Sequence, residues 1–146
     1  MLANIDELRQ FKIFEELNER ELEQIAKISN SEELGPGARL SATGAPADHL
    51  YLLMQGKIAI KVPGQGPQEV LVEEIGPGEI VGWSTVTGPY VYTASCWTSE
   101  RSSVIEVSGT RLRQLFEANN HIGYRVLKGV GYVVSKRITA LQARCV

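Results

Sequence analysis

All six prolines of this chain fall between Pro36 and Pro89. Proline removes a backbone donor and fixes φ, so it belongs to turns, strand edges and helix starts. The two proline-free ends are therefore open to helix, while the middle must turn repeatedly. The predicted layout is helices flanking a β region. No internal repeat or low-complexity tract interrupts it.

The middle reads as short strands. "SEELGPGARLSATG" from Ser31 is strand, turn, strand. "HLYLLM" from His49 alternates Leu50, Leu52 and Met54 against Tyr51 and Leu53. "KIAIKV" sets Ile58, Ile60 and Val62 on one face, the period of a half-buried antiparallel strand. "EVLVEEI", "YVYTASCWT" from Tyr90 and "SSVIEV" from Ser102 follow. Roughly eight strands at this spacing predict a sandwich, jelly roll or small barrel.

The ends read as helices. Asn18 and Glu21 have capping-box spacing, followed by Leu22, Ile25 and Ala26 at helical period. Thr110 is the expected N-cap of a short helix over 110–119. The last element, 121–145, is a long helix. Its Leu127, Gly131, Val134, Ile138, Leu141 and Cys145 step by four and three, the a/d spacing of a helix pair. A second stripe, Ile122, Val126, Val130 and Val133, has room for the chain's own β part. Two stripes need two partners, so a homodimer through this helix is expected. One broad stripe packed wholly on its own domain is the alternative. Gly131 falls in the seam, where a missing side chain permits close approach.

The boundaries expected are N-terminal helices over 1–30, a β jelly roll over 31–108, the short helix and the long helix, in one domain of 1–146. A formal net charge of −2 carries no overall basic footprint for nucleic acid. No apolar run reaches the ~18 residues of a membrane span, and the start lacks a signal-peptide core. A cytoplasmic protein without membrane contact is expected. Charge is uneven: no acid follows Glu117, whereas Arg125, Lys128, Lys136, Arg137 and Arg144 do. Cys96 and Cys145 read as reduced packing cysteines, with an intersubunit role for Cys145 as the alternative.

Catalytic and metal-binding patterns are missing from the sequence. His49 and His121 stand about 70 residues apart, without the paired histidine and carboxylate of a β-barrel metal site. There is no nucleophile elbow and no Walker-type loop. No enzyme, catalytic residue, metal or cofactor is expected; haem ligation is the alternative role for a histidine.

The glycines carry the strongest pattern: Gly44, Gly56, and Gly76, Gly78 and Gly82 in "IGPGEIVGW". Over about 5–145 the chain resembles the cyclic nucleotide-binding domain of CRP/FNR-type regulators. "FKIFEELNERELEQIAKIS" looks like that family's helical lead, "GPGARLSATGAPADHLYLLMQGKIAIKV" its first strands, and "EEIGPGEIVGW" the approach to its phosphate-binding cassette, here about 76–95. The resemblance implies an eight-stranded jelly roll, a short cassette helix and a long dimerising C-terminal helix.

The resemblance also implies ligand positions: Gly82, Trp83, Ser84, Thr85, Tyr92, Thr93 and Ala94. Nucleotide-binding members follow the cassette glycine with a glutamate for the ribose, and place an arginine on the cyclic phosphate nine residues on. Here those positions hold Trp83 and Tyr92. An arginine–phosphate pair rests on hydrogen bonds of ~1.5–3 kcal/mol each, so its loss removes roughly two decades of affinity. The expectation is a dimeric, non-enzymatic sensor for a small molecule other than a standard cyclic nucleotide such as cAMP. One alternative is a ligand-free interaction module whose aromatic residues fill the pocket. Another is a nucleotide binder with a displaced cation, Arg137 or Arg101. The family's transcription factors continue into a helix-turn-helix domain; the sequence stops at Val146, so DNA binding by this chain alone is not expected.

Overall fold

The computed structural model describes residues 1–145. Helix α1 (Ile5–Leu8), a 3-10 turn (Lys12–Phe14) and α2 (Glu19–Ala26) form the lead. The Asn18 side chain accepts from the Glu21 amide at 2.9 Å, and Glu21 accepts from the Asn18 amide at 2.9 Å. This reciprocal cap satisfies two orphan donors and fixes where α2 begins.

Eight strands follow: β1 Ser29–Leu34, β2 Arg39–Ser41, β3 His49–Gln55, β4 Ile58–Pro63, β5 Glu69–Ile75, β6 Ile80–Val81, β7 Ser95–Thr98 and β8 Ser102–Ser108. They form two antiparallel four-stranded sheets, ordered β1-β8-β3-β6 and β2-β7-β4-β5. Helix α3 (Gly109–Ala118) and α4 (Asn120–Arg144) complete the described chain. The fold is mainly β with flanking helices and a long C-terminal helix, as the sequence predicts.

The core lies in two layers. Leu50 and Leu52 face the helices, in one cluster with Phe11, Phe14 and Leu22. Tyr51 and Leu53 face the second sheet, in one cluster with Ile58, Ile75 and Val104. Both faces of β3 are thus buried, because helices cover one and a sheet covers the other.

Two local expectations change. The strand expected from Tyr90 begins only at Ser95. Tyr90 sits at φ 63, which turns the backbone out of the ladder. Tyr92 instead pairs with a loop: its amide donates to Ala45 and its carbonyl accepts from Gly44, both at 2.9 Å. Secondly, α3 is capped by Ser108, whose oxygen accepts from the Arg111 amide at 3.3 Å; Thr110 lies inside the helix. Asn119 closes α3 and caps α4 through the Ile122 amide at 3.2 Å.

Helix α4 buries Ile122, Val126 and Val130 against the domain. At Gly129 it passes so close to the Lys12–Phe14 turn that an added Cβ would stand 2.6 Å from the Ile13 Cα. Glycine permits that approach at a helix-propensity cost of ~1 kcal/mol. Among the described residues no helix is long and apolar enough to cross a membrane.

Candidate functional site

The cassette begins where β6 ends. Gly82 holds φ 87, and a Cβ there would stand 2.7 Å from the His49 carbonyl, so only glycine lets the loop lie against β3. The short cassette helix that the resemblance implies is a single 3-10 turn, Trp83–Thr85. The Thr85 hydroxyl donates to the Gly82 carbonyl at 3.0 Å, and its own carbonyl accepts from Arg113 at 2.8 Å.

Gly82, Trp83, Ser84, Tyr92, Thr93 and Ala94 come together around one cavity, with Ser41, Ile60, Val81, Cys96 and Arg137 completing the wall. Thr85 does not line it; it is fully buried beneath the turn. The cavity holds about 40 Å³. That is room for water, far below the ~300–1,000 Å³ of a pocket that encloses a ligand.

Two side chains account for the small volume. The Tyr92 ring lies beside Gly82, with Cε1 3.5 Å from where a Cβ would be. Its hydroxyl accepts from the His49 amide at 2.9 Å and donates to the His49 carbonyl at 2.6 Å. Burial pushes the Tyr92 phenol up, opposed by that hydrogen bond, so it stays a neutral donor.

Arg137 enters from α4. It is 8% exposed, and its guanidinium lies 4.9 Å from the centre of the Trp83 ring. One terminal nitrogen donates to the Ile80 carbonyl. Its Nε–H is buried without an acceptor. Burial lowers the Arg137 pKa, opposed mainly by the field of Glu73 and then Glu79. Arg137 therefore ties α4 to β6 and the cassette together. It is also the cation in the cavity wall; Arg101 is exposed in the β7–β8 turn and does not reach it.

Where the resemblance implies a phosphate-binding arginine the structure has a neutral, engaged phenol, where it implies a ribose-binding glutamate it has an indole, and about 40 Å³ is left between them. Among the described residues no group of three or more His, Cys, Asp or Glu stands together as a metal site would require.

The expected seam residues also cluster. Leu127, Gly131, Val134 and Ile138 line a groove of about 560 Å³ along α4, next to Thr87 of the cassette region. Leu127 is 40% and Ile138 50% exposed. Leu141 is half-buried and Cys145 exposed. Nothing within the chain lies within 4 Å of a Cβ built at Gly131, whereas Gly129 packs closely on Ile13.

Sequence reasoning missed the walls contributed by Ser41, Ile60 and Cys96, and the anchoring of Tyr92 by His49. The alternation of "KIAIKV" puts Ile60 inward and could have supplied one of them. The His49 contact is a backbone contact and leaves no sequence signal.

The family model of the cyclic nucleotide-binding domain matches residues 31–119. A crystal structure from Geobacter metallireducens GS-15, assigned to the cyclic nucleotide-binding proteins, is 28% identical with a TM-score of 0.85, covering 94% of this chain and 99% of its own. A cyclic nucleotide-binding domain from Methylobacillus flagellatus KT is 19% identical with a TM-score of 0.81, covering 96% and 79%. The sensor domain of the transcriptional regulator DNR from Pseudomonas aeruginosa is 20% identical with a TM-score of 0.72, covering 92% and 90%. The last two bear on the fold alone. Among curated proteins none matches this sequence.

Proposed function

The chain belongs to the cyclic nucleotide-binding domain family, and from that premise we propose a non-enzymatic regulatory module of CRP/FNR type that pairs through α4 and fills its cassette cavity with its own side chains. The observation that carries this reading is the double hydrogen bond of Tyr92 to His49, beside an Arg137–Trp83 stack, around only about 40 Å³. A ligand in the cassette would have to displace one of these groups first.

The regulatory element is α4. Arg137 joins it to the Ile80 carbonyl and to Trp83, so any shift of the helix relative to the cassette breaks that bond. Such a link makes two helix positions discrete alternatives, which a partner or effector then biases. Pairing is supported by the exposed apolar groove at Leu127, Gly131, Val134 and Ile138. The free thiols of Cys96 and Cys145 suit a reducing, cytoplasmic compartment.

Calorimetry with cAMP and cGMP tests the reading. No binding tighter than ~100 μM is expected, a level of about 5.5 kcal/mol. One observation favours a second reading, in which Arg137 is a displaced phosphate-binding cation: its buried Nε–H has no acceptor. Micromolar cAMP binding that Arg137→Met abolishes would establish that reading and sink the first.

A further inference from the structure

A second cavity lies on the far side of Arg137. It is a half-open groove bordered by the Lys12–Phe14 turn, the Gly78–Ile80 segment and α4, with room for about 350 Å³. That volume is of the size a small molecule occupies. Arg137 is the one residue it shares with the cassette cavity. The guanidinium is thus a partition between a space too small for a ligand and one large enough.

The chemistry of its wall is mixed. Ile13, Ile80 and Val133 give it apolar sides, with the Tyr132 ring at the edge. Lys12 and Lys136 flank that ring, with their ammonium groups 4.6 and 5.9 Å from its centre. Glu73 and Glu79 also line the cavity. Three cations face two carboxylates, a net charge of about +1. Glu79 is already engaged, accepting from the Gly76 amide at 2.9 Å. Lys12 is engaged with Glu15 at 2.7 Å.

We infer that this cavity is a binding site for a small monocarboxylic acid with an apolar body, seated between the Lys12–Phe14 turn and α4, its carboxylate accepting from Arg137 and Lys136. The apolar body lies against Ile13, Ile80 and Val133. The consequence rests on the reading of α4 as the regulatory element: a ligand here competes with the Ile80 carbonyl for the guanidinium. It therefore acts on the Arg137–Trp83 contact without entering the cassette.

The probe is 4-phenylbutyrate, titrated against the full chain in a Trp97→Phe background, so that Trp83 reports alone. Saturable binding below about 1 mM is expected, with a change in Trp83 emission. The matching alcohol and amine should bind at least tenfold more weakly. Ala140→Phe, at an exposed position on the cavity rim, should abolish binding while leaving the circular dichroism unchanged. Arg137→Lys, which keeps the charge but removes the planar guanidinium, should weaken binding about tenfold and silence the emission change. No binding up to about 10 mM, equal binding of acid and amine, or indifference to Ala140→Phe would each overturn the proposal. The calorimetry with cAMP and cGMP reads the cassette independently, so failure here leaves that reading standing.

Discussion

The Tyr92 hydroxyl takes both hydrogen-bonding groups of the His49 backbone, accepting from its amide at 2.9 Å and donating to its carbonyl at 2.6 Å. One phenol thereby closes the cassette onto the first residue of β3. Tyr92→Phe keeps the ring and strands the His49 amide. A loss of about 1–3 kcal/mol is expected, read as a lower urea midpoint at unchanged slope. A loss below about 0.5 kcal/mol, the range of ordinary surface substitutions, would show that the bond does not hold the loop.

Restoring the family's charged anchors should restore its ligand. The double variant Trp83→Glu and Tyr92→Arg is expected to gain roughly two decades or more of cAMP affinity over the parent. The measurement is calorimetry on protein whose circular dichroism matches the parent. A folded double variant still blind to cAMP would place the obstruction at Arg137 instead.

Gly129→Ala should destabilise the fold although alanine favours helix. The propensity gain is ~1 kcal/mol, but the new Cβ would stand 2.6 Å from the Ile13 Cα and 3.1 Å from its carbonyl oxygen. Overpacking of this kind costs about 1–3 kcal/mol. A net fall in thermal midpoint is expected, and a rise would contradict the close packing of α4 on the Lys12–Phe14 turn.

Leu127→Glu combined with Ile138→Glu should convert a dimer to a monomer in sedimentation at micromolar concentration, because both side chains line the exposed groove. Cys145 continues the same a/d repeat and is exposed. Mild oxidation should give a reducible dimer band that Cys145→Ser removes. A parent chain that sediments as a monomer would rule out pairing.

Acid stability should depend on Glu69. The Thr43 and Ser95 hydroxyls donate to its carboxylate at 2.7 and 2.9 Å, and hold its pKa below the ordinary 4.5. A folded pKa below the unfolded one adds stability above the ordinary value, lost as pH falls through the folded value. Glu69→Gln should lower the thermal midpoint at pH 7, with the difference from the parent shrinking below about pH 4.5. A difference independent of pH would place the effect in the amide substitution and not in the charge.

Much of the frame was legible because it is local. The Asn18–Glu21 spacing contains its own capping chemistry, and the step of four and three in the last helix contains its two faces. The confinement of proline to the middle marked where strands must turn. The strand expected at Tyr90 was misplaced because alternation of Val91 against Tyr90 and Tyr92 satisfies the period of two. The backbone at Tyr90 breaks that ladder all the same. Tyr92 is taken up by Gly44 and Ala45 from a loop nearly fifty residues earlier, and no window on the sequence contains that competition.

The cassette shows the same division. The sequence by itself determined that Trp83 and Tyr92 stand where the family resemblance implies the anchors for a ribose and a cyclic phosphate. It also named Arg137 as a candidate cation. Only the tertiary structure decided what those residues do: Tyr92 bonds to the His49 backbone, and Arg137 spans from α4 to Ile80 and Trp83. The reason is physical. Residue types fix which charges and hydrogen bonds a site has to offer, but the volume left inside it depends on where side chains from distant elements meet. Here a β3 backbone, a cassette ring and a helix guanidinium converge, and the space that remains is about 40 Å³.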